Sequence, residues 1–449
     1  MAIYSERETW NTKQMHAHQL KSLKRTVTNA YQNVPFYQET FKEVHMTPDD
    51  IESLDDLRRL PFTKKQDLRE NYPFNMLACP MKDIIRIHAS SGTSGKPTVV
   101  AYTKNDIEHW AHIVARSIAL AGGQKGDILH NAYVYGLFTG GLGLHAGSER
   151  LGCATVPISG GNTANQITLI QNFKPKIICS TPSYLLNIGE AMMIQGIDPA
   201  TTSLKYAILG AEPWSEEMRF QIEKLFQLKA SDIYGLSEVM GPGIAMECVE
   251  CQEGLHIADD HFLVEVINPD TLKPVDDGQY GELVFTSLTK EALPTIRYRT
   301  GDIASITREK CLCGRTTTRM SRVKGRIDDM LIIRGVNVFP SEIEQYICDL
   351  EELVPHYQIH LQKKGHLDHV TLHVEVCEEF YGKLQDKEDF THPLATDLTN
   401  RIRKTLKMKA LISVDVNLKS PKSIPRSEGK AKRIVDDRSR ASISPNFTI

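Results

Sequence analysis

Tyr206-Ala207-Ile208-Leu209-Gly210-Ala211-Glu212-Pro213 is an apolar run that ends in a glycine turn and a proline. Helical spacing follows over 215–225, and a second short apolar segment, Asp232-Ile233-Tyr234, leads into Gly235-Leu236-Ser237-Glu238. A short apolar run bounded by turn signals reads as a buried strand, and two such runs joined by an amphipathic helix read as parallel neighbours. The alternation continues towards the N-terminus, where 132–135, 154–158 and 176–179 are predicted strands and 163–173 and 182–195 predicted helices. The chain is therefore predicted to be α/β, with layered and largely parallel sheets. Ligands in such sheets collect at the carboxyl ends of the strands. The loops that matter are then Gly136–Gly141, Gly210–Pro213 and Gly235–Glu238.

Upstream, Ser90-Ser91-Gly92-Thr93-Ser94-Gly95-Lys96-Pro97 lies between the runs Ile85-Arg86-Ile87-His88 and Thr98-Val99-Val100. Small residues let several N–H groups converge on one point, and the hydroxyls and Lys96 add donors, a combination that suits phosphate. An ordinary Ser/Gly turn needs no lysine. The stretch lacks the Gly-x-x-x-x-Gly-Lys-Ser/Thr spacing and precedes a strand, which disfavours a P-loop kinase or NTPase. Farther out, a helix is predicted from Trp10 to about Tyr31, ended by Asn33-Val34-Pro35. A second is predicted over 51–60, a short one capped by Thr63 ahead of Lys64 and Lys65, and a longer one over 105–120. Two-residue alternation over 255–306 predicts a β-rich subdomain, which contains Tyr298-Arg299-Thr300-Gly301-Asp302.

After Gly325-Arg326-Ile327-Asp328-Asp329 the pattern changes. A strand at 330–333, a helix over 340–350, alternation in 370–376 and 412–418, and a helix carrying Leu398, Ile402 and Leu406 predict a small α+β domain of about one hundred residues. A basic tail with Lys430, Lys432 and Arg433 follows. The predicted division is 1–327 and 328–449.

At 449 residues the chain is too long for one ordinary core. Hydrophobic content of 41%, charged content of 24% and a net charge of −3 are those of a soluble globular protein without strong attraction to nucleic acid or membrane. The first residues have no apolar core of a signal peptide, and no apolar run approaches a membrane span. Nine cysteines, five of them scattered singly, fit a reducing compartment, so a cytoplasmic location is expected.

Taken together, Ser90–Pro97, Tyr234–Gly243, Tyr298–Asp302, Gly325–Ser341 and the Arg426-Ser427-Glu428-Gly429-Lys430 tail resemble the adenylate-forming superfamily of acyl-CoA synthetases, and within it the phenylacetate–CoA ligases. The resemblance implies a carboxylate activated by ATP to an acyl-adenylate and then transferred to the thiol of coenzyme A. It implies that Ser90, Ser91, Gly92, Thr93, Ser94, Gly95 and Lys96 hold the phosphates, with Thr93 and Lys65 near the reacting groups. Gly210, Ala211, Glu212, Asp232, Ile233, Tyr234, Gly235 and Ser237 would surround adenine. Glu238 would hold Mg²⁺, Asp302 would take both ribose hydroxyls, and Arg326 would reach the nucleotide. Lys430 matches the superfamily's catalytic lysine, with Lys432 as the neighbouring alternative. Asp328 matches the hinge about which a mobile C-terminal domain turns. Tyr135, Gly136, Phe138, Gly140, Gly141, Pro213, Gly241, Pro242 and Gly243 are candidates for the acyl pocket. A homodimer is implied by the resemblance alone.

Cys248-Val249-Glu250-Cys251, His256 and Cys311-Leu312-Cys313-Gly314 have metal-ligand spacing. The resemblance selects among them, since some similar proteins carry the matching Cys248, His256 and Cys-x-Cys together: it implies a structural zinc on Cys248, His256, Cys311 and Cys313, with Cys251 competing for the place of Cys248 or His256. The acid is expected to be phenylacetate. Another arylacetic or benzoic acid, or a stand-alone adenylating enzyme that loads a carrier protein, are the competing readings.

Overall fold

The computed structural model describes residues 3–90, 97–327, 331–333, 336–364, 367–384, 390–409, 412–426 and 431–438. The chain forms two units, one of residues up to Thr181, Ile188–Ala211 and Phe226–Val323, the other of Pro182–Asn187, Glu212–Leu225 and Lys324 onward.

The large unit opens with helix α1 (Thr12–Asn33), whose buried residues Met15, Leu23, Val27 and Ala30 form one face. Helix α1 ends at Asn33, where the Asn33-Val34-Pro35 break was predicted, and Pro35 opens a second helix, α2 (Pro35–Glu43), in whose first turn its missing N–H has no helical partner to lose. The stretch predicted as a helix over 51–60 contains a 3-10 turn, Asp55–Arg59. Helix α3 (Lys65–Glu70) starts from Lys64, whose N–H is bonded by Asp67. Thr63 is not its cap; its hydroxyl is buried and donates to the Ile296 carbonyl. A hairpin of β1 (Ile84–Ala89) and β2 (Val99–Thr103) brackets the Ser/Gly stretch, and α4 (Lys104–Leu120) follows, capped by Thr103.

The parallel half of the main sheet comprises β3 (Ile128–Asn131), β4 (Ala154–Val156), β5 (Ile177–Ser180), β6 (Tyr206–Gly210) and β7 (Lys229–Leu236). The first strand sits four residues ahead of the predicted 132–135. Its two buried polar side chains, His130 and Asn131, hide it from an apolar criterion. Helix α5 (Thr139–Leu151) occupies a region read as loop, so Gly140 and Gly141 lie in its first turn; helix α6 (Thr163–Phe173) lies where predicted. Beyond β7 the sheet turns antiparallel through β8 (Gly241–Glu247) and β9 (Leu255–Ile257). A second antiparallel layer holds β10 (Phe262–Ile267), β11 (Gly281–Ser287) and β12 (Tyr298–Ala304). The remaining strands of the main sheet are β13 (Ile306–Thr307) and β14 (Arg319–Met320), giving the edge order β13–β14–β9–β8–β7.

The small unit contains a sheet ordered Asp415–Lys419, Leu367–Val376, Leu353–Lys364 and Ile434–Asp436, with helices Pro340–Cys348 and Pro393–Lys409. Its core packs Ile343 and Ile347 with Ile359, Leu372, Val374, Leu398, Ile402 and Leu406. Strand 353–364, absent from the sequence reading, supplies the centre of that sheet.

Candidate active site

The carboxyl end of β7 gathers a set of interacting polar side chains in the large unit. Tyr234, six residues into the strand, donates its hydroxyl to Asp302 Oδ2 at 2.6 Å. Asp302 comes from β12 in the other sheet, at an irregularity in the pairing with β11 where the Thr300 hydroxyl accepts its N–H. The two residues lie 68 positions apart and only the packing of the two layers joins them. Asp232, on the same strand, accepts from the Arg322 guanidinium at 3.3 Å. Arg322 was missed by the sequence reading; its position three residues ahead of Gly325-Arg326 was the available signal. Gly210, at the end of β6, is held so close to β7 that a Cβ there would meet the Ile233 carbonyl at 2.3 Å. The next residue, Ala211, has a left-handed backbone with φ 70°. A non-glycine residue there costs about 1 kcal/mol and is concentrated at functional loops.

Glu238 lies in the turn that follows the strand, and Gly235, just before that turn, packs on the partner strand β8. A Cβ on Gly235 would lie 2.0 Å from the Gly241 carbonyl. The Glu238 side chain is buried, and Lys65 Nζ stands 3.6 Å from its Oε1. Lys64-Lys65, which reads as a solvated pair, thus sends one lysine inward. The Glu238 carbonyl accepts from the Thr295 hydroxyl at 3.1 Å and from Lys290 Nζ at 3.4 Å. Burial pushes the Lys290 ammonium down to about 8 against the pull of Asp106 and Glu238. Ser237 shares a hydrogen bond of 2.9 Å with Thr139 at the start of α5. Neither Lys290 nor Thr295 was singled out from sequence.

Along the neighbouring loop, the Tyr135 hydroxyl accepts from Asn131 Nδ2 at 2.7 Å and meets His145 Nδ1 at 3.2 Å. Burial pushes this phenol up to about 12. Asn131 also donates to the Gly141 carbonyl, which fixes the first turn of α5 against β3. Phe138 is half exposed at the α5 start, and Gly241 packs its Cα against the Trp110 ring.

Glu212 and Pro213 belong to the small unit. Glu212 accepts the Ser183 N–H through Oε1 and the Ala431 N–H through Oε2, at 2.8 and 2.9 Å. Arg326 lies in the same unit. Ser91, Gly92, Thr93, Ser94, Gly95, Lys96, Asp328 and Lys430 lie outside the described residues; Ser90, at the near end, donates its N–H to the Thr98 carbonyl.

A family model described as "AMP-binding enzyme" matches residues 8–289, and one described as "AMP-binding enzyme C-terminal domain" matches residues 335–438. The chain is 48% identical over 444 residues to the phenylacetate-coenzyme A ligase of Thermus thermophilus, covering 98% of this chain and 100% of that one. With the Escherichia coli K12 protein of the same name it is 51% identical over 432 residues, covering 96% and 97%. The chain belongs to the phenylacetate–CoA ligase family. Among solved structures, a 2-hydroxyisobutyryl-CoA ligase in its postadenylation state, bound to R3-HIB-AMP, aligns with a TM-score of 0.90 at 28% identity, over 97% of this chain and 92% of that one. The fold of the chain is accordingly that of the adenylate-forming enzymes.

A second cluster lies in the same unit of the chain. Cys248, His256, Cys311 and Cys313 place one ligand atom each within 4.8 Å of one another, and all four are buried. The sheet order β13–β14–β9–β8 brings them together: Cys248 leaves β8, His256 sits in β9, and Cys311 and Cys313 lie between β13 and β14. Cys248 Sγ is 3.9 Å from Cys311 Sγ, and Cys313 Sγ is 3.5 Å from His256 Nε2. A tetrahedral zinc with Zn–S near 2.3 Å and Zn–N near 2.05 Å requires edges of about 3.8 and 3.6 Å. The donor set therefore fits that ion. His256 Nδ1 meets the Thr317 hydroxyl at 2.9 Å, which aims Nε2 at the thiols. Burial holds this imidazole neutral, with its pKa pushed down to about 3. Cys251, the competing ligand, is 3.5 Å from Cys311 but lies outside the set of four. All nine cysteines are free thiols. Among the described residues no helix is long and apolar enough to cross a membrane.

Proposed function

We infer that this chain ligates phenylacetate to coenzyme A with ATP, through phenylacetyl-adenylate, giving phenylacetyl-CoA, AMP and pyrophosphate. The observation that carries this reading is identity near one half, over nearly the full length, to phenylacetate-coenzyme A ligases of several bacteria. In the first half-reaction a carboxylate oxygen bonds to the α-phosphorus and pyrophosphate leaves. In the second, the coenzyme A sulfur bonds to the acyl carbon and AMP leaves.

The first step brings two anions together, so the protein's work is positioning and charge neutralisation. We assign the Ser90–Lys96 stretch, with Thr93 and Lys65, to the phosphates, and Lys430 to the carboxylate and α-phosphate. Tyr234 offers an aromatic face to adenine, with Gly210, Ala211, Glu212, Asp232, Ile233, Gly235 and Ser237 around the base. Asp302 offers carboxylate oxygens to the ribose hydroxyls, and Arg326 reaches the nucleotide. Glu238 would hold magnesium: a carboxylate oxygen is the hard donor such an ion requires. Bound magnesium supplies neutralisation of polyphosphate charge. The acyl pocket is assigned to Tyr135, Gly136, Phe138, Gly140, Gly141, Pro213 and Gly241–Gly243. Residues 1–327 would bind ATP and acid, and 328–449, turning at Asp328, would bring the lysine in and take it away before the thiol enters. Zinc on Cys248, His256, Cys311 and Cys313 would be structural, since four protein ligands leave no open position. Free thiols suit a cytoplasmic location, and a homodimer is carried over from the family.

The test is AMP release with ATP, Mg²⁺ and a panel of aromatic acids, each with and without coenzyme A. Release that needs phenylacetate and coenzyme A together is expected. Acid-dependent pyrophosphate exchange without any coenzyme A product would favour a carrier-loading enzyme instead.

Replacement of Asp302 by alanine removes the acceptor for ribose and leaves Tyr234 without its partner at 2.6 Å. Charged hydrogen bonds contribute about 1.5–3 kcal/mol each, so the KM for ATP is expected to rise about 100-fold. The KM for phenylacetate should stay within about threefold. Equal rises in both would place Asp302 in the fold rather than at the nucleotide.

A further inference from the structure

We propose that Lys290 is a positioning residue for Glu238: a buried ammonium that fixes the Glu238 main chain against the corner between β2 and α4, so that Mg²⁺ and ATP meet a pre-set carboxylate. The inference rests on the reading of Glu238 as the magnesium carboxylate.

Lys290 is 2% exposed. Its Nζ donates to the Glu238 carbonyl at 3.4 Å and stands 4.9 Å from the centroid of the Tyr102 ring. Among the described residues no carboxylate oxygen lies within ion-pair distance of it; Asp106 and Glu238 act on it from farther away. A charge buried with so little compensation opposes folding, and an apolar chain of the same length would fill the space more favourably. Stability therefore does not explain the ammonium. Its contacts do. Lys290 is flanked by residues whose backbone is pinned from outside, because Asp106 accepts the N–H groups of Glu291 and Ala292 at 2.6 and 3.0 Å. Asp106 also accepts the N–H of Thr103, at the end of the strand that leaves the Ser/Gly stretch. The Tyr102 ring is held on its other side by Trp110, stacked at 5.1 Å and 13°, and the Tyr102 hydroxyl donates to the Met240 carbonyl at 2.7 Å. Lys290 thus ties three segments into one rigid corner: 102–106, 238–240 and 288–295. With Lys65 Nζ at 3.6 Å from the Glu238 carboxylate, the residue is gripped at both ends, side chain and carbonyl.

Lys290→Met and Lys290→Arg in the full chain separate this role from a structural one. The expected result for Lys290→Met is an unchanged or higher Tm without nucleotide. Calorimetric binding of ATP should then need at least tenfold more Mg²⁺, and phenylacetate-dependent ATP–pyrophosphate exchange should fall at least 100-fold. Lys290→Arg, which keeps the charge, should recover part of both. Wild-type binding and exchange in Lys290→Met would overturn the proposal, as would losses that merely track a fall in Tm with no recovery in Lys290→Arg. A wild-type protein that binds ATP with Mg²⁺ but does not exchange with phenylacetate would sink the substrate reading alone, and the binding comparison would still decide Lys290. Wild-type protein whose ATP binding ignores Mg²⁺ would overturn both.

Discussion

Lys430→Ala is expected to lower phenylacetate-dependent ATP–pyrophosphate exchange by about 10³-fold, a loss of about 4 kcal/mol of transition-state stabilisation. Thioester formation from synthetic phenylacetyl-AMP and coenzyme A should fall less than about tenfold in the same variant. The asymmetry follows from charge. Adenylation drives a carboxylate onto a phosphorus already surrounded by anionic oxygens, and a fixed ammonium over the α-phosphate offsets a repulsion that peaks in the transition state. Thiol attack occurs at a carbonyl carbon after pyrophosphate has gone. A lysine still covering the phosphate would then stand in the way. The same residue should therefore matter greatly in one half-reaction and little in the other. Lys432→Ala is the control, because two lysines in the tail compete for this role in the sequence. A larger exchange defect in Lys432→Ala would move the assignment, and equal suppression of both half-reactions would remove the case for a lysine that acts only in adenylation.

Much of the fold could be read from the order of short apolar runs, because a parallel strand buried on both faces leaves little else in the sequence. Residues 177–180 and 206–210 are of that kind, and the structure puts strands there. The reading slipped where burial is polar. His130 bonds Gln166 and Asn131 bonds Gly141, so strand Ile128–Asn131 carries side chains an apolar filter discards. Helix Thr139–Leu151 was missed for a related reason: Gly140, Gly141, Gly143 and Gly147 lower its helix propensity, and at Gly143 and Gly147 close packing against Trp110 and Val114 leaves no room for a Cβ. The Ser/Gly stretch suggested a phosphate through its chemistry, and it was the family resemblance that added the nucleotide. What the sequence could not announce was who meets whom. Tyr234 and Asp302 sit in different sheets, and Lys290, in Thr289-Lys290-Glu291, has the look of any solvated charge run until the fold closes over it.

Cys313→Ser is expected to abolish metal binding and to lower the stability of the large unit by roughly 4 kcal/mol or more, seen as a Tm drop of about 10 °C. Native protein, purified without chelator, should carry one zinc per chain by elemental analysis. The cluster's leverage comes from where its ligands lie. Cys311 and Cys313 belong to an excursion between β13 and β14, and their loop is closed by the Gly314 N–H on the Cys311 carbonyl. Arg315, fully buried beside them, pairs with Glu8 and so ties the N-terminal turn to the same knot. Remove the cation and three thiols with an imidazole remain packed together, and the excursion keeps only hydrogen bonds to β9 such as Thr317 on His256. Catalysis should respond differently. At a temperature well below its own Tm, Cys313→Ser should keep phenylacetate-dependent exchange within about threefold of wild type, because a closed site offers no position to substrate. Cys251→Ser should retain the metal, since Cys251 stands outside the mutual set of four. Zinc lost from Cys251→Ser but kept by Cys313→Ser would transfer the ligand role, and native protein free of metal would leave the four residues as an ordinary buried contact.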